Sequence, residues 1–244
     1  IKERGTLIVA QVGAEQPPFF WKADKDGQTG WVGYEVDLAK LIADRLGVKL
    51  EIPRLGDDYN EVCEVVHAGK ADIGISNLSD SEARRTLVDF TNPYIVSSVA
   101  MFIDLESLDR DGIDAIEPSD LNRPEVKAAL TRDSAYMFVF DEIMPDATRV
   151  VSPMGDFYSI ASPVLGGDAH LVIDDGFTLF LGWDSHPEYA QKYFLHIFDE
   201  YDDPLSMCLP HDQPEMREFL NAIIDEIEED EPVTLELIVD RYMK

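Results

Sequence analysis

"YEVDLAKLIADRLGVKLEIPRLGDDYNEVCEVVHAGKADIGIS", Tyr34 to Ser76, alternates helix and strand patterns without a break. Val36, Leu38, Ile42 and Leu46 fall at roughly helical spacing, and Gly47 marks the stop. "VKLEIPRL" then reads as a strand with Leu50 and Ile52 on one face. The next pattern predicts a helix capped by Asp57 or Asp58, burying Val62, Val65 and Val66 and ending at Gly69. "ADIGIS" is a further strand, and "TLIVAQV" upstream is a short apolar run of the kind a buried strand needs. The resulting β-α-β-α-β order predicts an α/β fold, a mainly parallel sheet with helices on its faces. In such sheets ligands bind beyond the carboxyl ends of the strands.

Beyond this unit, "FTNPYIVSSVAMFI" is a long β-branched apolar stretch suited to leaving it, followed by the polar, turn-rich "DLESLDRDGIDAIEPSDLNRP". The βα rhythm then resumes. "KAALTRDSAYMFVFDEIMPDA" reads as strand, loop and helix, and "TRVVSP" as a strand. "DFYSIASPVLGG" reads as a short helix ended by glycines, and "AHLVIDDG" as a strand. Near the end, Phe219, Leu220, Ile223, Ile224 and Ile227 form one helical stripe. With no internal repeat or low-complexity linker, two lobes joined by extended crossings fit better than separate beads.

Composition narrows the function. The 244 residues carry 49 Asp and Glu against 20 Lys and Arg, a formal net charge of −29. That charge repels nucleic-acid phosphates and no basic stripe offsets it, so no nucleic-acid partner is expected. The excess reads mainly as a solvated surface suited to an exterior or high-salt setting. Cys63 and Cys208 are too few for a disulfide scaffold and lack metal spacing; one disulfide and two buried thiols are both open readings. No apolar run is long enough to span a bilayer, and a signal or anchor is expected to lie upstream of Ile1.

Several chemistries lack their motifs. There is no GxGxxG, GxxxxGK[ST] or GxSxG, and His67, His170, His186, His196 and His211 show no ligand spacing. Neither a metal nor another cofactor is expected, nor any catalytic residue. Paired acids such as Asp57-Asp58, Asp174-Asp175 and Asp202-Asp203 are common by chance in so acidic a chain. "ISNLSDSEARRTLVDFTNPY", Ile75 to Tyr94, is different, because it follows a strand and places Ser79 and Glu82 at capping-box spacing. The loop Ser76 to Ser81 is expected to enter a helix N-terminus where backbone N–H groups and Arg84 bind an anion. The competing reading is an ordinary capped helix whose arginines pair with Asp80, Glu82 or Asp89.

Taken in order, "GTLIVA", "PPFFW", "GWVGYEVDLAKLIADRLGVKLEI" and "AGKADIGISNLSDSEARRTLVDFTNPY" resemble the bacterial periplasmic solute-binding proteins of the polar amino acid transport family. The likeness is dense over residues 5 to 96 and thins after residue 100 to "VLGGDAHLVIDDG" and "PEMREFLNAIIDEI". It implies a two-lobed, type II fold: residues 1–98 and 204–244 as lobe 1, 99–203 as lobe 2. Crossings are implied near Val96 to Met101 and near Asp202 to Leu209.

By position, Arg84 is similar to the arginine that grips a ligand α-carboxylate, and Ser79 to the hydroxyl beside it. Arg85, on another face, is the runner-up. Ser76 and Asn77 fall where contacts meet the α-ammonium and carboxylate, and Tyr59 where the family has an aromatic lid. Asp174 matches the lobe 2 carboxylate that pairs with the α-ammonium. "RDSA", Arg132 to Ala135, stands where the family has Gly-Ser/Thr-Thr; Ser134 is the implied ligand contact, and Asp133 in place of glycine adds negative charge. Glu15, before Gln16, adds more. The ligand implied is a small zwitterion, a polar or cationic amino acid, captured by lobe closure and passed to a membrane ABC permease by a protein expected to be monomeric and periplasmic or extracellular. Two alternatives stand beside it. One is an enzyme on the same scaffold, like the cyclohexadienyl dehydratases that convert prephenate-like acids; the other is the sensor domain of a membrane receptor.

Overall fold

In the computed structural model, which describes residues 1–25, 28–115 and 117–243, the first apolar run forms β1 (Thr6–Ala10). Next come β2 (Trp21–Lys25) and β3 (Gln28–Val32), an antiparallel pair in the register Trp21 opposite Val32 that the sequence patterns do not anticipate. Gly33 then turns the chain into α1 (Tyr34–Leu46) with φ +123°. A Cβ there would lie 2.3 Å from the Phe19 carbonyl oxygen, so only glycine lets the helix start against that loop. Gly47, left-handed at φ 68°, ends α1 by donating its N–H to the Ala43 and Asp44 carbonyls.

The other elements of this part are β4 (Lys49–Glu51), α2 (Tyr59–His67), β5 (Ile73–Gly74) and α3 (Glu82–Arg85). Asp58 caps α2 by accepting the Glu61 N–H at 2.8 Å. β4 and β5 are shorter than the apolar patterns suggest, because Pro53 interrupts the first and the chain turns away after Gly74 to build the Ser76–Ser81 loop. β6 (Asp89–Asp104) then carries the chain onward.

The segment read as polar and turn-rich contains α4 (Leu105–Arg110) and a 3-10 helix, Pro118–Leu121. Asp104 nucleates α4 by accepting the Glu106 and Ser107 N–H groups. Then follow β7 (Lys127–Thr131), α5 (Tyr136–Ile143) and β8 (Thr148–Ser152). "DFYSIASPVLGG" folds as two single turns, α6 (Phe157–Ile160) and α7 (Ser162–Leu165), where one helix is expected. Pro163 has no N–H to continue the first turn, and it is well placed to begin the second. β9 (Leu171–Asp175), α8 (Gly176–Asp184), a 3-10 helix (Pro187–Gln191), β10 (Tyr193–Leu209), α9 (Pro214–Asp230) and α10 (Leu235–Tyr242) complete the order.

The chain divides into two compact units, Ile1–Val96 with Pro204–Lys244, and Ser97–Asp203. β6 and β10 each run from one into the other. In the first unit the strand order is β4-β1-β5-β10, parallel except where Cys208 of β10 pairs antiparallel with Gly74. In the second it is β6-β9-β7-β8, parallel except for β6 against β9.

The core of the second unit follows the period of two that strands impose. Ala128, Leu130, Leu171 and Ile173 join a cluster with Val139, Phe140 and Met144 on one face, while Ala129 and Val172 join Phe157, Ile160 and Val164 on the other. In the first unit Leu7, Val9, Ile42, Val62, Val66 and Ile73 are fully buried, and α9 adds Leu220, Ile223 and Ile224. Each such side chain contributes about 1.5–3 kcal/mol relative to exposure.

Candidate functional site

In the first unit the polar groups collect at the carboxyl ends of the strands. Gln11, one residue past β1, forms a parallel bridge with Arg54, which follows β4. Ser76 and Asn77 follow β5. Ser76 is fully buried and its Oγ accepts the Val12 N–H at 3.0 Å. Asn77 has φ 50°, a left-handed conformation that asparagine tolerates, and this aims its N–H at Glu35 Oε1, 2.6 Å away. Glu35 is itself fully buried at the start of α1 and also accepts from Tyr94 Oη and Gln11 Nε2. Burial pushes its carboxyl up to about 7, against those hydrogen bonds and the charge of Arg54.

Arg84 is 4% exposed. Its Nη1 donates to the Ser79 carbonyl at 2.9 Å, its Nε donates to Asn60 Oδ1 at 3.1 Å, and the guanidinium lies 5.6 Å from the Tyr59 ring centroid. The Tyr59 hydroxyl in turn accepts from Gln16 Nε2. Tyr59, Ser79 and Arg84 are therefore joined in one network, and Ser76 and Asn77 follow β5 on the loop that leads to it.

Two local expectations are corrected. The cap of α3 is Ser81, whose Oγ accepts the Arg84 N–H, while Ser79 instead bridges to Leu205 of β10. α3 is a single turn, so the anion-binding power read into its N-terminus reduces to the side chains and the loop. Arg84 is buried, its guanidinium held by the Ser79 carbonyl and the Asn60 side chain. Arg85 is exposed and makes two 2.6 Å bonds to Asp80, the ordinary ion pair that was the competing reading for both arginines.

Sequence reasoning missed Arg54. Its guanidinium lies 3.4 Å from the Trp31 ring centroid and 4.9 Å from that of Phe20, and Nη1 donates to the Val12 carbonyl. Burial lowers its pKa to about 10, opposed by the charges of Glu35 and Glu15. Its Nε and Nη2, with Gln11 Oε1, Gln16 Oε1 and Asn77 Oδ1, are buried without hydrogen-bond partners. Such groups are costly when unmatched, and their concentration at strand ends is what a polar ligand would satisfy. The position of Arg54 just past a strand was the available signal. Glu15 is exposed and acts on Arg54 through its field.

In the second unit the corresponding strand ends are acidic. Asp174, 2% exposed at the end of β9, accepts from Thr131 Oγ1 at 2.7 Å and from the Asp175 N–H at 2.9 Å. Burial pushes its carboxyl up to about 7, with the charges of Asp175 and Asp203 adding to the rise. Asp175 caps α8, accepting from Thr178 N–H and Oγ1 and from Ser97 Oγ, and burial raises it too. Asp203, 5% exposed, accepts from Tyr136 Oη at 2.6 Å. Ser134 donates its N–H to the Thr131 carbonyl, while its buried Oγ has no hydrogen-bond partner. Asp133 has φ 59°, the backbone conformation that a glycine would take without strain. Thr131, Tyr136, Asp175 and Asp203 complete a cluster of which sequence reasoning found Asp174 and Ser134. Among the described residues no group of three or more His, Cys, Asp or Glu side chains has a metal-holding arrangement.

The sequence pattern of the bacterial extracellular solute-binding proteins, family 3, matches residues 8–244. The chain belongs to this family. Its function is solute binding, and its fold is the two-lobed type II α/β fold of periplasmic binding proteins. The chain is 27% identical over 228 residues to the cyclohexadienyl dehydratase of Pseudomonas aeruginosa, covering 87% of this chain and 74% of that one. It is 38% identical over 90 residues to the arginine-binding protein ArgT of Corynebacterium glutamicum, covering 37% of this chain and 28% of that protein. The solved structure of the substrate-binding protein AbpA of Streptococcus pneumoniae, bound to L-arginine, superposes with a TM-score of 0.80 at 24% identity, over 99% of this chain and 96% of that one. Among the described residues no helix is long and apolar enough to cross a membrane.

Proposed function

We propose that this family member captures a polar or cationic amino acid outside the cytoplasm, in the periplasm or at the cell exterior, and delivers it as a monomer to a membrane ABC permease. The observation that carries the reading is the opposite charge of the two sets of strand ends. The first unit offers Arg84 and Arg54 with unmatched polar atoms, and the second offers Asp174, Asp175 and Asp203.

On this reading Arg84 and the Ser79 hydroxyl hold the ligand carboxylate, Ser76 and Asn77 supply further polar contacts, and Tyr59 covers the bound ligand. Asp174 holds the ammonium beside the Ser134 hydroxyl, and Glu15 adds to the negative field. A ligand that engages both units favours the closed population by its differential affinity for it. The excess of acids in the second unit disfavours an anionic side chain, since a desolvated like-charge contact costs several kcal/mol. Thermal shift with the twenty amino acids, followed by calorimetry, tests this. Arginine or lysine is expected to stabilise the protein more than glutamate or aspartate, and preferential stabilisation by an acidic amino acid overturns the ligand class.

A second reading, dehydration of a prephenate-like acid, is favoured by one observation. Asp174 is a buried carboxyl held protonated close to neutral pH, the property a general acid needs to expel a hydroxyl. Incubation of the protein with such an acid, followed by ultraviolet absorbance of the aromatic product, decides it; no product above the protein-free control removes this reading.

A further inference from the structure

The parallel bridge between Gln11 and Arg54 puts their side chains on one face of the first unit's sheet, past the carboxyl ends of β1 and β4. The Arg54 guanidinium is held over the Trp31 and Phe20 rings, and its Nη1 donates to the Val12 carbonyl at 3.2 Å. Its Nε and Nη2 are buried with no hydrogen-bond partner. Those two atoms carry the parallel N–H pair along one edge of the guanidinium, the edge that grips an oxygen-bearing group.

Two buried acceptors on the same strand ends are unmatched as well. Gln11 is fully buried; its Nε2 donates to Glu35 and its Oε1 has no partner. Gln16 is 3% exposed; its Nε2 donates to the Tyr59 hydroxyl and its Oε1 has no partner. Backbone bonds in both directions tie Gln16 to Phe20, the residue whose ring lies against Arg54. Asn77, whose Oδ1 is also unpartnered, stays with the Ser76–Ser81 loop and the α-groups of the ligand.

On the reading that the protein captures a polar amino acid, we infer that Arg54, Gln11 and Gln16 form its side-chain subsite and select a neutral carboxamide there, as in glutamine or asparagine. A carboxamide has one carbonyl oxygen with two lone pairs and an NH2 group with two donors. The oxygen answers the Nε–H and Nη2–H pair of Arg54, and the two N–H groups answer the oxygens of Gln11 and Gln16. A carboxylate answers Arg54 but has no proton for either glutamine oxygen. An ammonium or guanidinium answers the glutamines but leaves Arg54 unmatched and sets a second positive charge against it. Each mismatch leaves a buried polar atom unpaired, which weakens binding by about 5- to 150-fold. The aromatic rings and the Val12 carbonyl fix the guanidinium in advance, so little ordering of its long side chain is left to oppose binding.

Calorimetry of the unmodified protein with L-glutamine, L-asparagine, the γ-methyl ester of L-glutamate, L-glutamate, L-lysine and L-arginine tests the inference. Glutamine or asparagine is expected to bind most tightly, by about fivefold or more over the others. The methyl ester keeps the carbonyl and lacks the N–H donors, so equal affinity for it overturns the part given to Gln11 and Gln16. Tighter binding of lysine or arginine overturns the carboxamide assignment and leaves the broader reading standing, whereas tighter binding of glutamate overturns both. Binding of none of these ligands also overturns the assignment, and the screen of all twenty amino acids then decides whether the broader reading fails with it. Arg54→Met keeps an apolar stem beside Trp31 and removes the donors. It is expected to weaken carboxamide binding by about 5- to 150-fold while leaving lysine binding unchanged or stronger. An equal loss for every ligand would make Arg54 a structural support whose edge is met by water, and would overturn its selecting role. The ligand series on the unmodified protein stands whether or not this variant folds.

Discussion

Arg84 and Arg85 are neighbours in sequence with opposite surroundings. Arg84 holds the Ser79 carbonyl and Asn60 from a buried position, whereas Arg85 is exposed and pairs directly with Asp80. Arg84→Ala is therefore expected to weaken ligand binding by about 2–5 kcal/mol, and to lower stability by about 1–3 kcal/mol as its partners lose their donor. Arg85→Ala should change neither measurably. Calorimetry and urea unfolding of both variants check this, and equal ligand affinity in wild type and Arg84→Ala would sink the assignment. Asp174 gives the second residue-scale expectation. Its carboxyl sits near 3.9 when unfolded and is pushed up to about 7 when folded, so between those values the folded state holds a proton that the unfolded state has lost. Its contribution is present at low pH and is lost as pH rises through about 7. Asp174→Asn should flatten that part of the melting profile and melt above wild type at pH 8. A cationic ligand favours ionised Asp174, so wild-type affinity should fall below pH 7, by up to tenfold per unit. A melting profile with the same slope in the variant would show that Asp174 does not carry the effect.

At the scale of elements, α2 links the packing of the first unit to its site. One face buries Val62, Cys63 and Val66, while its first turn presents Tyr59 and Asn60 to Arg84. Its start rests on the Asp58 carboxylate, so Asp58→Ala should cost about 1 kcal/mol of stability and weaken ligand binding by loosening that first turn. Urea midpoints and calorimetry test both; an unchanged midpoint would mean that packing alone fixes the helix. α1, α2 and the strands around them were legible because apolar period, cap and glycine stop agree in one stretch. Four features were not. The β2–β3 pair has mixed polarity without strict alternation, and the true cap of α3 was one of two serines two residues apart. Arg54 looked like any surface cation until aromatic rings enclosed it. Asp203 and Tyr136 lie far apart in the chain, and a contact over that separation leaves no periodic trace.

Over the whole molecule the dominant quantity is the net charge of −29. Basic residues are already used locally, as in the Arg45–Glu226, Arg4–Asp72 and Arg241–Glu231 pairs, and such exposed pairs contribute little. Part of the surplus lies on α9, where Glu228, Glu229 and Asp230 occupy the last turn without a basic residue. There the carbonyl end of the helix dipole adds to the repulsion instead of offsetting it. The unfolded chain spreads the same charges over a larger volume, so self-repulsion penalises the folded state more. Screening falls from about 10 Å in 0.1 M salt to about 3 Å in 1 M, which shortens the repulsion while leaving the buried acids of the second unit largely unaffected. The melting temperature should therefore rise by several degrees between 0.05 M and 1 M potassium chloride. Replacing Glu229 and Asp230 by lysine should raise it at low salt and reduce the salt increment. Chloride is used instead of sulfate so that surface exclusion does not imitate screening. A melting temperature independent of salt would show that the acidic surface does not limit stability, and an increment unchanged in the lysine variant would show that the end of α9 does not contribute to its repulsion.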